Sequence, residues 1–96
     1  MKLVAIVFNT ILLSHVMEHL NQCNVAQYTQ WSGATGVGST DPHLGTHVWP
    51  GTNNIIFSVV DDPAKKDALL NCVKAIQKEH PNEGIRAFVM PVEEMV

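Results

Sequence analysis

Positive charge is scarce in this chain and missing from most of its length. The 96 residues carry six Lys and Arg against nine Asp and Glu, a net charge of -3. The cations are Lys2, Lys65, Lys66, Lys74, Lys78 and Arg86, so no Lys or Arg falls between residues 2 and 65. A nucleic-acid module needs a basic patch, and none is present. Cysteine is equally sparse: Cys23 and Cys72 are too few for a disulfide framework and form no CxxC pair. They read as buried free thiols in a reducing compartment. A long apolar run is also missing. MKLVAIVFNTILLSHVM opens like a secretory leader, but Asn9 and Thr10 interrupt it and no small-residue cleavage site follows. The run falls short of the ~20 residues that cross a bilayer. The chain therefore reads as cytoplasmic, with no direct membrane insertion and no nucleic-acid partner. It has no internal repeat, low-complexity tract or linker, and its length implies one small domain, 1–96.

The remaining pattern alternates between strand and helix signals. Leu3 to Phe8 is a compact apolar run of the kind found in buried central strands. Asn9 or Thr10 can cap a following helix. Leu13, Val16, Met17 and Leu20 then recur at helical spacing, and the helix is expected to end near Asn21. Val25 to Trp31 has β-formers, and Ile55 to Val60 is a second buried-strand candidate. Asp61 or Asp62 before Pro63 is a helix start, with a capping carboxylate followed by proline in the first turn. Leu69, Val73 and Ile76 form that helix's apolar stripe, with Cys72 beside it, and Pro81, Asn82 and Gly84 end it. Ile85 to Val92 alternates as a last strand. The order is βαββαβ, which predicts an α+β, ferredoxin-like fold: a four-stranded antiparallel sheet with two helices on one face. The first and third strands lack clean polar alternation. Their second apolar face would be a large exposed patch in a monomer, so self-association through the sheet is expected.

Between the second and third strands lies GATGVGSTDPHLGTHVWPGT, residues 33–52. It holds five of the six glycines and two of the five histidines, and Asp41 is its only charged residue. Hairpin loops usually need two to five residues, and loops this long in compact domains are mostly functional or disordered. The segment reads as a mobile recognition loop, with Trp49, His43 and His47 as contact groups. It is no P-loop, since no GK[ST] follows. Its exposed backbone N–H groups can still cradle an anion such as a carboxylate or bicarbonate.

The closing segment GIRAFVMPVEEMV resembles the end of PII-like signalling proteins (nitrogen regulatory protein-like), where a final strand runs into a PVEE-type sequence. The element order and the position of the long loop are also similar to that family, whose T-loop occupies this place. The resemblance implies a homotrimer that binds an adenine nucleotide or another small effector in clefts between subunits. It also implies a T-loop that docks on a partner, a transporter or an enzyme, through 33–52. Arg86 falls where the family has a phosphate-contacting lysine when VMPVE is aligned. The family's glycine- and acid-rich turn before that lysine is replaced by HPNEGIR, and the loop has no tyrosine to accept a uridylyl group. A divergent, non-enzymatic sensor with weak ATP binding is therefore expected. Its candidate ligand-binding residues are Trp31, Gly33, Gly36 and Arg86.

CutA-like metal-tolerance proteins are the alternative: EHPNEGIRAFVMPV resembles their HPYE-containing turn before a strand ending in PV. A trimeric divalent-metal-binding protein would draw on His15, His19, His43 and His47. His15, Glu18 and His19 spell HxxEH, which puts both histidines on one helix face. This is also the spelling of inverted zinc peptidases. A peptidase needs a third ligand, an open coordination position and a substrate cleft, for which 96 residues leave little room. No Ser/His/Asp or Cys/His nucleophile arrangement can be placed, so no catalytic residue is assigned.

Overall fold

The computed structural model describes residues 1–37 and 51–96. Four strands form one antiparallel sheet: β1 (Lys2–Asn9), β2 (Thr29–Ala34), β3 (Asn53–Val60) and β4 (Ile85–Pro91). Their order is β2-β3-β1-β4, the ferredoxin-like arrangement. The helices are α1 (Leu13–Gln22) and α2 (Pro63–Glu79). β1 is central and pairs on both sides, which explains why its sequence is apolar on both faces.

One face of the sheet meets the helices. Val4, Ile6 and Phe8 of β1, Ile56 and Val60 of β3 and Ile85 of β4 form a single buried cluster with Leu12, Val16 and Leu20, and with Leu69, Val73 and Ile76 of α2. The helical stripes read from the sequence are therefore the helices' core faces. Local chemistry sets the helix starts. The Asn9 side chain accepts the Ile11 N–H at 3.2 Å and caps a 3₁₀ turn, Thr10–Leu12, that precedes α1. Asp62 accepts the Ala64 N–H at 2.8 Å, with Pro63 as the first helical residue.

The second strand departs from expectation. Val25 to Tyr28 is not strand; β2 begins at Thr29. The reason lies in the exit from α1. Asn24 adopts a left-handed φ of 57°, and the Val25 N–H bonds back to the Leu20 carbonyl at 3.0 Å. Val25 thus packs against the core as a helix-exit residue. Gly33 also lies inside β2, so the strand reaches two residues into the segment read as loop.

The second face of the sheet carries no helix. Its residues line up in rows across the strands. Met90, Leu3 and Val59 form one row; Phe88, Ala5, Phe57 and Thr29 a second; Arg86, Val7, Ile55 and Trp31 a third. Trp31, Val59, Phe88 and Met90 are exposed there. No helix of the described residues is long and apolar enough to cross a membrane.

Candidate functional site

The third row joins the two ends of the expected ligand site. Trp31 pairs with Ile55, Ile55 with Val7, and Val7 with Arg86. Paired residues of a sheet share a face, so Trp31 and Arg86 both project from the uncovered side. They stand at opposite edges, on β2 and β4. Three inter-strand steps separate them by about 14 Å. Within one subunit that spacing is too wide for the two side chains to close together on an anion the size of bicarbonate. Trp31 is 63% exposed. Among the described residues, no carboxylate pairs with the exposed Arg86 guanidinium.

The glycines sit on the Trp31 side. Gly33 has φ +75°, and the β2–β3 register shifts between Trp31 and Ala34. This is a bulge that uses glycine for its left-handed residue. Gly36 lies against β3's first residue, where a Cβ would come within 3.4 Å of Asn53 Nδ2. Trp31, Gly33 and Gly36 therefore gather at one foot of the long loop, while Arg86 is set apart.

The opposite face of the same loop base holds a polar cluster that the sequence reading missed. Asn54 is buried. Its Oδ1 accepts Gln30 Nε2 at 2.9 Å and Ser32 Oγ at 3.0 Å. Its Nδ2 donates to Thr10 Oγ1 at 2.8 Å, and Thr10 Oγ1 lies 2.9 Å from Thr52 Oγ1. The Thr10 N–H also bonds the Thr52 carbonyl at 3.0 Å. One buried amide thus ties β2, the start of β3 and the entry to α1 together. The turn before Arg86 is held as well. Asn9 Nδ2 donates to Glu83 Oε2 at 2.7 Å, and the Asn9 N–H bonds the Gly84 carbonyl at 2.9 Å. The single carboxylate of HPNEG is thus engaged by Asn9, the last residue of β1.

The histidines divide. His15 and His19 lie one turn apart on α1, half-buried. The His15 ring contacts His80, with ring centroids 4.5 Å apart at an interplanar angle of 45°. His43 and His47 lie outside the described residues. Among the described residues no three His, Cys, Asp or Glu side chains converge as a metal site would require. The cysteines, distant in sequence, are neighbours in space. Cys23 closes α1 with its sulfur 4.0 Å from the Ala68 carbonyl of α2, and Cys72 lies one turn further along that helix. Burial, followed by the hydrogen bond and charge of Cys23, pushes the Cys72 thiol from 9.0 to about 12. Both thiols are free, but half-buried rather than buried.

Comparison with known proteins adds to this geometry. The chain is similar in structure to CPII from Thiomonas intermedia bound to ADP and bicarbonate, with TM-score 0.71 and 17% identity over 97% of this chain and 88% of that one. The apo form of CPII gives TM-score 0.60 and 13% identity over 95% and 89%. A PII-like signaling protein from Thermus thermophilus gives TM-score 0.61 and 26% identity over 93% and 83%. No curated protein matches the chain by sequence. The family profile of nitrogen regulatory protein P-II matches residues 1–96, and with its βαββαβ sheet this chain belongs to that family.

Proposed function

We propose that the chain is a non-enzymatic regulatory sensor of the PII-like kind. It binds a small anionic effector in the clefts of a homotrimer and signals to a partner protein, a transporter or an enzyme, through residues 33–52. The observation that carries this reading is the Trp31–Ile55–Val7–Arg86 row. An aromatic group at one sheet edge and a guanidinium at the other, unpaired among the described residues, make a compact site when the edges of two subunits meet. The exposed apolar residues Val59, Phe88 and Met90 on that face supply a reason for subunits to associate. The similar CPII binds ADP and bicarbonate, which supports an adenine nucleotide or bicarbonate as the class of effector.

Charge narrows the choice. Arg86 is the only cation in its row, and one guanidinium makes a paired, charge-assisted contact with one carboxylate-like or phosphate group. It does not offset a triphosphate. Bicarbonate, AMP and ADP are therefore favoured over ATP. Both feet of the 33–52 segment are fixed by the Asn54 cluster, so an effector that touches Trp31 and Gly33 acts next to the loop's anchor.

Titration calorimetry with ATP, ADP, AMP and bicarbonate on wild type and Arg86→Ala tests the reading. Loss of one charge-assisted contact is expected to weaken binding about tenfold to a hundredfold. Tight ATP binding that survives Arg86→Ala would put the site elsewhere.

A further inference from the structure

The contact between His15 and His80 belongs to neither the sheet-edge row nor the loop. His15 lies in the first turns of α1, and His80 closes α2. The two residues are distant in sequence and meet because both helix ends lie at the same end of the sheet. β1 runs into the 3₁₀ turn and α1 there, and the turn after α2 returns to pair Ile85 with Phe8.

Three properties of the pair point to a ligand. The first is spacing. Two imidazoles bound side by side at ~2.0–2.1 Å from one ion have ring centres about 4.5–5.3 Å apart, the shorter value for a right angle between them at the metal and the longer for the tetrahedral angle. The observed centroid separation is 4.5 Å. The second is availability. Among the described residues neither ring makes a hydrogen bond or an ion pair, so the nitrogen lone pairs are uncommitted. The third is rigidity. The His15 backbone is helical. At His80 the N–H bonds the Ile76 carbonyl at 2.8 Å, and its own carbonyl accepts the Glu83 N–H at 3.1 Å. Both side chains leave fixed backbones on packed elements, which lowers the ordering cost of binding. Both are half-buried, so the pair is open to solvent on one side.

We propose that His15 and His80 form a binding site for a divalent transition-metal ion. Imidazole nitrogen suits zinc, nickel and copper and excludes the hard, oxygen-seeking calcium and magnesium. Two protein ligands leave the remaining coordination positions to water, because no third His, Cys, Asp or Glu of the described residues joins the pair. Such a site is reversible and follows the free metal concentration, unlike a closed four-ligand structural site. The pairing also separates His15 from His19, its neighbour one turn along α1.

Zinc is the probe, because it is diamagnetic and lets each imidazole be followed by NMR. The His43→Ala, His47→Ala double variant leaves only His15, His19 and His80 of the chain's five histidines. On titration with Zn²⁺ the ring signals of His15 and His80 are expected to move along one saturation curve. Replacing one ligand costs at least what losing a supporting residue does, about 10–100-fold in affinity. His80→Ala and, separately, His80→Gln should therefore weaken zinc binding at least tenfold, while His19→Ala leaves it within about twofold. The site is refuted if His15 and His19 shift together while His80 stays still. Zinc affinity unchanged by both His80 variants, or lost on changing Cys23 and Cys72 instead, refutes it equally.

Discussion

Gly33 shows how much one carbon atom can decide. A Cβ built there meets nothing within 4 Å, so space does not demand glycine. The φ of +75° does. Gly33→Ala is expected to lower stability by about 1–2 kcal/mol through backbone strain alone, read as a lower urea midpoint with unchanged slope. A midpoint equal to wild type would mean that the bulge relaxes without cost. Cys72 makes a second residue-level prediction. Its pKa is raised from 9.0 to about 12, so the native state holds a proton that the unfolded chain gives up. The contribution is fully present below pH ~9 and is lost as pH rises towards ~12. Stability should therefore fall across that window less steeply in Cys72→Ala than in wild type. Parallel pH curves would show that the thiol is not held as described. That pairing of thiols was not legible from the sequence. Residues 23 and 72 are brought together only by the packing of α1 on α2, and spacing along the chain carries no trace of it.

The elements were legible in proportion to how strongly local pattern and core packing agree. β1, β3 and both helices follow their apolar periodicity, because each buries the face that the pattern marks. β2 was misplaced by several residues. TQWSGA has little apolar alternation and its side chains are almost all exposed, so its position is set by pairing with β3 rather than by its own composition. The Asn54 cluster went unread for a related reason. In NNIIFSVV the inward positions 54, 56, 58 and 60 are Asn, Ile, Ser and Val, and two polar residues on a buried face were a signal. Ser58 is satisfied by the Gln27 carbonyl at 2.9 Å, and Asn54 by Thr10, Gln30 and Ser32. Asn54→Ala strands these partners and is expected to cost about 1–3 kcal/mol. Faster hydrogen exchange at Gln30, Ser32 and Thr52 should accompany the loss, since the amide joins the elements at the loop base. Exchange changes confined to the core helices would assign Asn54 a packing role only.

At the level of the whole molecule, the uncovered sheet face and the proposed split site make linked demands. Phe88 is 52% exposed, in register with Ala5, beyond which stands Phe57. Phe88→Glu puts a charge into the proposed subunit contact and should yield monomers by light scattering, with a fold unchanged by circular dichroism; an intact trimer would show that subunits meet elsewhere. Arg86 and Trp31 supply the sharper test. They sit at opposite edges of one sheet, so the proposed site combines Trp31 of one subunit with Arg86 of its neighbour. A head-to-tail ring provides that combination at every contact. Trp31→Ala and Arg86→Ala should each lose effector binding as pure proteins. When the two are refolded together in equal amounts, about a quarter of the contacts pair an intact Trp31 with an intact Arg86, and binding should return to about a quarter of the sites. If both residues served one site within a single subunit, every subunit in the mixture would still lack one of them, and no binding would return.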